Sequence, residues 1–495
     1  MPHPYQGIRT SVQDCGHFVS GEWITSSGSK VEINSPYTGS PMASFRNADQ
    51  PTVEKAIAQA HAASKDWSKT PIKERSQVMY RFRDELIADL ELIASTKSFE
   101  SGKTIGEAKA GLLKGIEVLE FALSIQNMDA GGKLEVSRGV SCEFRREPIG
   151  VVSGITPFNF PAMVPMWMIP IALTLGNSFV WKPSEKTPMT SLLIADCLKR
   201  SGLPAGVLTV LQGQKETVEM IIDHPLVASV GFVGSTDIAR KVYQRATNLG
   251  KRCLALGGAK NHIILLPDAD PEIAAQGIAD SFTGCCGQRC MAASVLLAVG
   301  DVDQIIGKVK AIVESRSPGV DLGAIITKQQ VEFLHSAIAE ADAEGADVVV
   351  DGRNSNNLPS EFKAGNFIGA TILDNVKPKS MAATKELFGP ILSIIRVKDL
   401  SEALEIEASN AYGNATSVFT SSGAMAEEIA RSSRSGMVGV NIGVPVPREP
   451  FSFGGTKNSK FGMGDITGIP SFPLWSDMKK VTVKWHKQND ANWMS

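Results

Sequence analysis

The sequence predicts an α/β protein built on a parallel sheet that helices cover on both faces. Short apolar segments typical of strands, at 149–155, 178–181, 208–211 and 227–232, alternate with stretches of helical periodicity. Strands separated by helices of this length imply right-handed crossovers and therefore parallel pairing. The predicted architecture is Rossmann-like, and its ligand is expected beyond the carboxyl ends of the strands.

Length and composition narrow the class of protein. A chain of 495 residues is expected to hold two or more domains. Its 50 basic and 52 acidic side chains give no field that would recruit nucleic acid or an anionic membrane, so small-molecule chemistry is favoured. Seven cysteines, an odd number in a long chain, favour a reducing compartment. With no signal-peptide pattern at the start and no apolar stretch long enough to cross a bilayer, we expect a cytoplasmic protein.

The first quarter of the chain is predicted to be scaffold. Residues 17–45 alternate short β-type runs with turn residues, and 51–128 is helical. The apolar residues that recur at helical spacing are Val53, Ile57, Ala60 and Ala63, followed by Val78, Phe82, Leu86 and Leu90.

Two segments interrupt this α/β pattern with strand-like alternation. Residues 133–147 predict a strand pair or arm, and 480–485 predicts one more strand near the end of the chain. Exposed strand edges invite pairing with a second subunit. We therefore expect a homo-oligomer, either a dimer or a tetramer.

A glycine turn after the strand at 227–232 is a candidate phosphate site. The dinucleotide fingerprint GxGxxG is absent, but Gly231–Asp237 gives a strand, a turn and a helix start in succession. Free N–H groups at that helix start could hold a pyrophosphate, although many helices begin this way. The helix is predicted to bury one apolar face, formed by Ile238, Val242, Ala246 and Leu249.

A second βα series follows Asn261. Its predicted strands lie at 263–266, 294–299 and 348–350, with a helix over about 302–315 and a last segment at 380–397. Two α/β layers whose facing edges carry a glycine turn and a cysteine would form a cleft between domains.

Cys290 is the candidate nucleophile of this cleft. It follows Arg289 directly, in a loop loosened by Gly284 and Gly287, and a neighbouring cation favours the reactive thiolate. The alternative is that Cys290 is merely packed among small residues. The nearby pair Cys285 and Cys286 could form a protective bond with it or serve as packing. Histidines and cysteines show no zinc-ligand spacing, so a catalytic metal is not expected.

Five segments in consistent order carry a resemblance over nearly the whole chain. The chain resembles the aldehyde dehydrogenases that use nicotinamide cofactors. The matching segments are 156–161 (TPFNFP), 181–185 (WKPSE), 231–236 (GFVGST), 287–290 (GQRC) and 386–390 (ELFGP).

The resemblance implies a division of the chain and a catalytic pair. It implies an NAD-binding domain at 1–130 and 148–257, a catalytic domain at 258–447, and a small β oligomerisation arm at 131–147 and 478–495. Cys290 would attack the aldehyde carbon. The Asn159 amide and the Cys290 backbone N–H would hold the oxyanion, and hydride transfer would leave a thioester on Cys290.

The same resemblance assigns the cofactor contacts. Lys182 and Glu185 match the positions that hold the adenosine ribose, Ser235 the pyrophosphate contact, and Glu386 the nicotinamide ribose, with Phe388 beside the ring. A free carboxylate at Glu185 would repel a 2′-phosphate, which favours NAD over NADP. The further positions assigned to the cofactor are Thr156, Phe158, Lys186 and Gly257.

One departure from the family pattern narrows the function. Hydrolytic members use a Glu to activate water against the thioester, and Leu256 stands at that position. General-base assistance is worth about 10²–10⁴ in rate. Without it, hydrolysis of the acyl-enzyme should be slow, and a better nucleophile than water should accept the acyl group. In this respect the chain is similar to the methylmalonate-semialdehyde dehydrogenases, the CoA-acylating branch. That branch oxidises malonate or methylmalonate semialdehyde, releases carbon dioxide, and forms acetyl-CoA or propionyl-CoA with coenzyme A as co-substrate.

Two positions of the family pattern concern the carboxylate of the substrate. Arg289 matches one family residue for this task, and a guanidinium can hold a carboxylate through two hydrogen bonds. A second family Arg is replaced by Lys114, which offers a point charge. Lys114 could bind the substrate carboxylate more weakly, indicate a different acidic semialdehyde, or be a plain solvated residue. Two alternatives stay open: a hydrolytic NAD-dependent dehydrogenase of another acidic semialdehyde, and a non-catalytic oligomer that keeps the fold.

Overall fold

A computed structural model of the chain describes residues 12–129, 131–354, 358 and 360–485. Residues 486–495, the end of the predicted oligomerisation arm, lie outside the described residues. The helices are α1 Gln50–Trp67, α2 Ile72–Ala88, α3 Leu90–Ser101, α4 Ile105–Leu123, α5 Ile125–Met128, α6 Met163–Thr174, α7 Pro188–Arg200, α8 Lys215–Asp223, α9 Thr236–Asn248, α10 Pro271–Thr283, α11 Asp303–Glu314, α12 Lys328–Ala343, α13 Met381–Thr384, α14 Leu400–Ser409, α15 Gly423–Ser432 and α16 Phe472–Trp475.

The strands are β1 Gln13–Asp14, β2 His17–Val19, β3 Glu22–Ile24, β4 Lys30–Asn34, β5 Pro41–Arg46, β6 Gly132–Ser137, β7 Val140–Pro148, β8 Val151–Ile155, β9 Ser178–Lys182, β10 Leu208–Val210, β11 Val227–Val233, β12 Arg252–Leu256, β13 Asn261–Leu265, β14 Ala293–Val299, β15 Asp347–Val350, β16 Thr371–Asp374, β17 Ile391–Val397, β18 Tyr412–Gly413, β19 Ala415–Phe419, β20 Met437–Val440, β21 Thr456–Lys457, β22 Lys460–Phe461 and β23 Ser476–Lys484. Short 3₁₀ turns lie at Gly284–Gly287, Gly352–Asn354, Ser360–Phe362 and Ile469–Ser471.

The predicted parallel sheet is confirmed. It has the order β22-β12-β11-β8-β9-β10-β2-β3, with parallel pairing from β12 through β10 and antiparallel strands at both ends. Alternate residues of one strand face opposite layers. Val180 of β9 accordingly belongs to the apolar cluster shared with α1, α8 and α9, whereas Phe179 and Trp181 belong to the cluster shared with α2, α4, α6 and α7. The central strands are buried and mostly apolar because both faces of the sheet are covered.

A second sheet holds the later βα series. Its order is β15-β16-β17-β14-β13-β19-β20, parallel except for the β15–β16 pair at one edge. Its strands and helices share one large apolar core. The two sheets follow each other closely in sequence, since β12 ends at Leu256 and β13 starts at Asn261. The residues of that short link, 257–260, therefore lie at the edge of both layers.

The predicted arm is a three-stranded antiparallel sheet in the order β23-β7-β6. Strand β23 pairs along the whole of β7, from Ser476 opposite Pro148 to Lys484 opposite Val140. Both strand predictions are confirmed, but the pairing of the two segments with each other was not predicted. Apolar side chains remain exposed on this sheet, among them those of Leu134 (68% exposed) and Val136 (52%). A further small sheet combines β1, β5 and β4, and β18 pairs with β21.

Two predictions about helix faces need correction. Ile238 and Leu249 were predicted to be buried with Val242 and Ala246, but they are 45% and 49% exposed. Ile238 lies in the first turn of α9 and faces a cavity, whereas Leu249 follows the end of the helix. The helical run predicted through Leu90 is also divided, because α2 ends at Ala88 and α3 begins at Leu90.

Within the described ranges, none of the helices has the length and apolar character needed to cross a membrane.

Candidate active site

The loop that carries Cys290 is fixed by its backbone. Gly287 has a φ of +70°, and a side chain there would overlap the backbone of Gly389. Cys285 and Cys286 have φ values of +52°, which side-chain-bearing residues adopt rarely. Such conformations persist only where the surroundings hold them. Here the loop connects α10 to β14 and delivers Cys290 to the amino end of β14, where the parallel strands β13 and β19 also begin.

Two cavities meet at Cys290. The small cavity, of about 410 Å³, is bounded by α4, by the loop at 284–291 and by residues 442–453. The large cavity, of about 820 Å³, lies at the carboxyl ends of β8, β9 and β11. Cys290 and Phe160 line both cavities. A group on the Cys290 sulfur can therefore be approached from either side.

The backbone of Cys290 is held by two amide side chains. Asn261 Nδ2 and Asn414 Nδ2 each donate to the Cys290 carbonyl oxygen at 2.8 Å. Asn159, predicted to stabilise the oxyanion, is buried, and its Nδ2 donates to the Gln288 carbonyl oxygen at 3.1 Å. The predicted donor therefore lies against the loop that carries the predicted nucleophile.

Arg289 was predicted to favour the thiolate of Cys290, but other influences on the pKa of this thiol are stronger. Burial, followed by the negative charge of Glu386, raises the pKa of the Cys290 thiol to about 12. The positive charges of Lys103 and Arg289 act in the opposite direction but are weaker. Adjacency in sequence is a poor guide here, because the Arg289 guanidinium turns away: its Nε lies 3.2 Å from the Cys285 sulfur.

Arg289 belongs to the wall of the small cavity. Its guanidinium lies 3.7 Å from Glu107, whose carboxylate also accepts the backbone N–H of Cys285. A side chain at Gly284 would overlap the guanidinium, so the glycine leaves the space that Arg289 occupies. Cys285 thus lines the cavity beside Arg289, whereas Cys286 packs into the apolar core of the second sheet.

Lys114 lines the same small cavity on α4. Its Nζ lies 2.8 Å from Glu117, one turn further along the helix, and 2.9 Å from Glu449. The reading of Lys114 as a plain solvated residue is wrong, since only 18% of its side chain is exposed.

All residues predicted to contact the cofactor line the large cavity: Thr156, Phe158, Lys182, Glu185, Lys186, Ser235, Gly257, Glu386 and Phe388. The Lys182 side chain is 4% exposed, donates to the Gly213 carbonyl oxygen at 3.1 Å and lies 3.6 Å from Glu185. Ser235 is the N-cap of α9, yet its side chain makes no capping hydrogen bond. These groups fit a dinucleotide: cation and carboxylate for a ribose, and a helix N-terminus with a free hydroxyl for a pyrophosphate.

Glu386 closes the large cavity near Cys290. Its Oε1 accepts the backbone N–H of Ala259 at 2.9 Å, and burial raises the pKa of its carboxyl to about 7. Lys260 lies behind it, fully buried, with no hydrogen-bond partner for its Nζ among the described residues. Burial lowers the pKa of Lys260 to about 7, although the charge of Glu386 opposes that change.

The aromatic side of the large cavity is formed by Phe158 and Phe388. Their ring centroids lie 5.9 Å apart in an edge-to-face arrangement. The Nζ of Lys186 lies 5.0 Å from the Phe158 centroid. Phe388 has a φ of +55°, a conformation that the surrounding contacts must hold.

Sequence reasoning missed a buried cation under the site. Lys103 is 3% exposed, its Nζ has no hydrogen-bond partner among the described residues, and it lies 3.9 Å from the centroid of the Phe160 ring. Its charge lowers the pKa of Cys290. The only signal in the sequence is a lysine after a glycine at 102–103, which is too common to single out.

Leu256 stands at the end of β12 and is 3% exposed, inside the apolar cluster against which Cys290 packs. This position therefore holds hydrocarbon and no group that could activate water.

Fold and site together define the class: an α/β enzyme with a half-buried cysteine where a dinucleotide-sized cavity meets a smaller one. The chain belongs to the aldehyde dehydrogenase family, whose model matches residues 23–481. Among its relatives, malonate-semialdehyde dehydrogenase of Pseudomonas aeruginosa is 40% identical over 95% of this chain and 96% of its own length. Malonate-semialdehyde dehydrogenase 1 of Geobacillus thermodenitrificans is 37% identical over 97% of this chain and 100% of its own.

Solved structures agree with this assignment. Methylmalonate-semialdehyde dehydrogenase from Oceanimonas doudoroffii superposes with a TM-score of 0.94 at 38% identity, covering 96% of this chain and 99% of that one. A chain from Sinorhizobium meliloti 1021, solved in complex with NAD, superposes with a TM-score of 0.95 at 37% identity, covering 97% and 100%. The predicted family and fold are confirmed.

Proposed function

We propose that this chain catalyses the NAD-dependent oxidation of malonate or methylmalonate semialdehyde, with loss of carbon dioxide and transfer of the acyl group to coenzyme A. The observation that carries the proposal is Cys290, which lines both cavities, while Leu256 occupies the place of the water-activating base. Relatives named malonate-semialdehyde dehydrogenase support the choice of substrate.

The chemistry begins at the Cys290 sulfur. Its thiolate forms a bond to the aldehyde carbon, and the carbonyl electron pair moves to oxygen, where the Asn159 amide and the Cys290 N–H donate to it. NAD, when bound, accepts hydride from that carbon, and the carbonyl re-forms as a thioester. Phe158 and Phe388 bound the large cavity on the side of the sulfur and help to exclude water.

The remaining steps need coenzyme A as a second substrate. The bond between the α-carbon and the carboxylate breaks, carbon dioxide leaves, and the α-carbon takes a proton. The thiolate of coenzyme A then displaces Cys290 from the acyl carbon. Malonate semialdehyde, NAD⁺ and coenzyme A thus yield acetyl-CoA, carbon dioxide and NADH, and methylmalonate semialdehyde yields propionyl-CoA in the same way.

Arg289 and Lys114 are proposed to bind the substrate carboxylate. Both line the small cavity, on its opposing loop and helix walls. A partly buried cation attracts a carboxylate more strongly than one in water does.

The proposal is tested by following NADH from malonate semialdehyde with and without coenzyme A. We expect sustained turnover only with coenzyme A, and a thioester as the product. Cys290→Ser should abolish it. Steady NADH formation that ignores coenzyme A would contradict the acyl-transfer step.

The alternative, a hydrolytic dehydrogenase of another acidic semialdehyde, has one observation in its favour. Glu386 lines the same cavity as Cys290, and burial raises the pKa of its carboxyl to about 7, a suitable value for a base. Product analysis separates the two functions, because hydrolysis gives a free acid in place of a thioester.

Assembly and location are part of the proposal. The exposed apolar side chains of β6 and the free edge of the arm suit pairing with a second copy, so we propose a homo-oligomer built through 131–147 and 478–495. The proposed NAD-binding domain comprises 1–130 and 148–257, with β22 added at its sheet edge, and the proposed catalytic domain comprises 258–447. All seven cysteines are unpaired, which supports a cytoplasmic location.

A further inference from the structure

A carboxylate of the chain itself lies on the lysine proposed to receive the substrate carboxylate. Glu449 Oε2 lies 2.9 Å from Lys114 Nζ, across 335 residues of sequence. The pair is largely buried, with side-chain exposures of 18% for Lys114 and 11% for Glu449. An ion pair in this setting is screened less by water than one on the surface.

The pair connects two walls of the small cavity. Lys114 lies on α4, and Glu449 lies in the segment after β20 that contributes Ile442, Val444 and Arg448 to the cavity. Glu449 does not itself line the cavity, so its carboxylate approaches Lys114 from behind the wall.

The ammonium of Lys114 has few donors left. A lysine offers three N–H donors; one is directed to Glu117 at 2.8 Å and one to Glu449. A substrate carboxylate at the same nitrogen would bring a third negative group to one cation. Like charges crowded in this way repel, so the carboxylates already at Lys114 weaken its attraction for the substrate carboxylate.

Other charges around the cavity do not replace Glu449 in this role. Glu117 is on the same helix as Lys114 and is shared with Arg448, which lies 3.5 Å from it. Glu107 lies at the other end of the cavity against Arg289. Glu449 differs from both because it belongs to the segment at 442–453 and pairs with Lys114 directly.

We infer that Glu449 is a specificity-determining residue, whose negative charge competes with the substrate carboxylate for Lys114 and weakens the binding of an acidic semialdehyde. The inference rests on the proposed function of Lys114. It implies that an acidic aldehyde must share Lys114 with Glu449, whereas the binding of a neutral aldehyde does not depend on the Lys114–Glu449 pair. The wild-type affinity for an anion is therefore lower than the two cations alone would give.

The test is equilibrium binding of malonate, measured by calorimetry without turnover, to wild type, Glu449→Gln, Lys114→Met and the double variant. Removal of the competing charge should tighten malonate binding about fivefold, the equivalent of about 1 kcal/mol. In the Lys114→Met background, Glu449→Gln should change nothing. Glu120→Gln is the matched control, because Glu120 lies on the same helix, pairs with Arg83 and does not line the cavity.

Kinetics supply a second readout. The KM of Glu449→Gln for malonate semialdehyde should fall by a similar factor, while the KM for propanal stays unchanged. Malonate binding that is equal or weaker in Glu449→Gln, or a KM that rises for both aldehydes, would show that the pair only supports the wall and would overturn the inference. Failure of the proposed function is separately visible, as absence of coenzyme A-dependent turnover in wild type, because malonate binding does not depend on it.

Discussion

Replacement of Glu386 by Gln tests how the charge of Glu386 affects the pKa of the Cys290 thiol. The carboxylate is the second largest cause, after burial, of the raised pKa of Cys290. Gln keeps the length of the side chain, and its amide oxygen can still accept the Ala259 N–H that Glu386 accepts at 2.9 Å. The substitution thus removes a charge and retains the hydrogen bond.

The magnitude follows from the thiolate fraction. A thiol with a pKa of about 12, as in Cys290, is ionised to about 10⁻⁴ at pH 8, and each unit by which the pKa falls increases that fraction about tenfold. We expect removal of the Glu386 charge to lower the pKa of Cys290 by about one unit, because burial remains. Alkylation of Cys290 at pH 8 should therefore become about tenfold faster.

The pH dependence of the alkylation rate provides an independent test. The pKa of Glu386 is raised to about 7, so its charge appears as the pH rises through that value and then opposes ionisation of Cys290. In wild type the logarithm of the alkylation rate should rise by less than one per pH unit between about pH 6 and 8, whereas Glu386→Gln should keep unit slope.

The assay is iodoacetamide labelling of Cys290, followed by peptide mass spectrometry so that the other six cysteines do not contribute. Glu185→Gln is the matched control, because it removes a charge from the same cavity but Glu185 is not among the groups that shift the pKa of Cys290. An unchanged or slower rate in Glu386→Gln, with the wild-type curvature retained, would refute the electrostatic reasoning.

Three more predictions follow from buried groups. Leu256→Glu should raise NADH formation without coenzyme A by about 10²-fold or more, whereas Leu256→Gln should not; equal rates in both variants would show that the added carboxyl does not act as a base. Arg289→Lys should raise the KM for malonate semialdehyde about 10- to 100-fold and leave propanal unaffected, because the planar fork is lost; steady-state kinetics on both aldehydes decide this. Glu100 accepts the backbone N–H groups of Met189 and Thr190 at 2.8 and 2.9 Å, so Glu100→Ala should lower the free energy of unfolding by about 2–5 kcal/mol at pH 5. Since burial raises the pKa of Glu100 to about 7, its stabilising contribution is complete below about pH 4.5 and is lost as the pH rises through 7; urea unfolding at pH 5 and 8 should show a smaller loss at pH 8, and a larger one would contradict this.

Periodicity was sufficient to predict elements that are buried on both faces. The segments around β8, β9 and β11 are rich in apolar residues with no regular alternation, a pattern typical of a parallel sheet covered on both sides, and nearly all of their residues are buried. Periodicity failed for α9, where Ile238 is apolar because it faces a cavity and not the core. The apolar pattern of a helix does not show whether a residue faces the core or a cavity.

The residues that line the site were predicted better than the pairings of their charges. Motif matching placed Glu386 and Lys182 in the cavity where the structure has them. It could not foresee that Arg289 turns to Cys285, or that Lys114 is paired with Glu449, because both depend on contacts between segments distant in sequence or on side-chain direction within a loop. Charge pairing of this kind is a tertiary property.

The fate of the acyl group depends on which carboxylates are free to approach the sulfur. Glu107 is held by the Cys285 N–H and Arg289, and Glu449 by Lys114, so neither can accept a proton from water without losing a partner. In the part of the chain that the structure describes, Glu386 accepts a hydrogen bond from the Ala259 N–H, and the pKa of its carboxyl, raised by burial to about 7, is near that of a useful base. Any residual hydrolysis should therefore follow the ionisation of Glu386, and a ribose hydroxyl hydrogen-bonded to it would suppress that hydrolysis. The lack of a base at the end of β12 and a ribose bound to Glu386 would thus both slow hydrolysis of the thioester until coenzyme A accepts the acyl group.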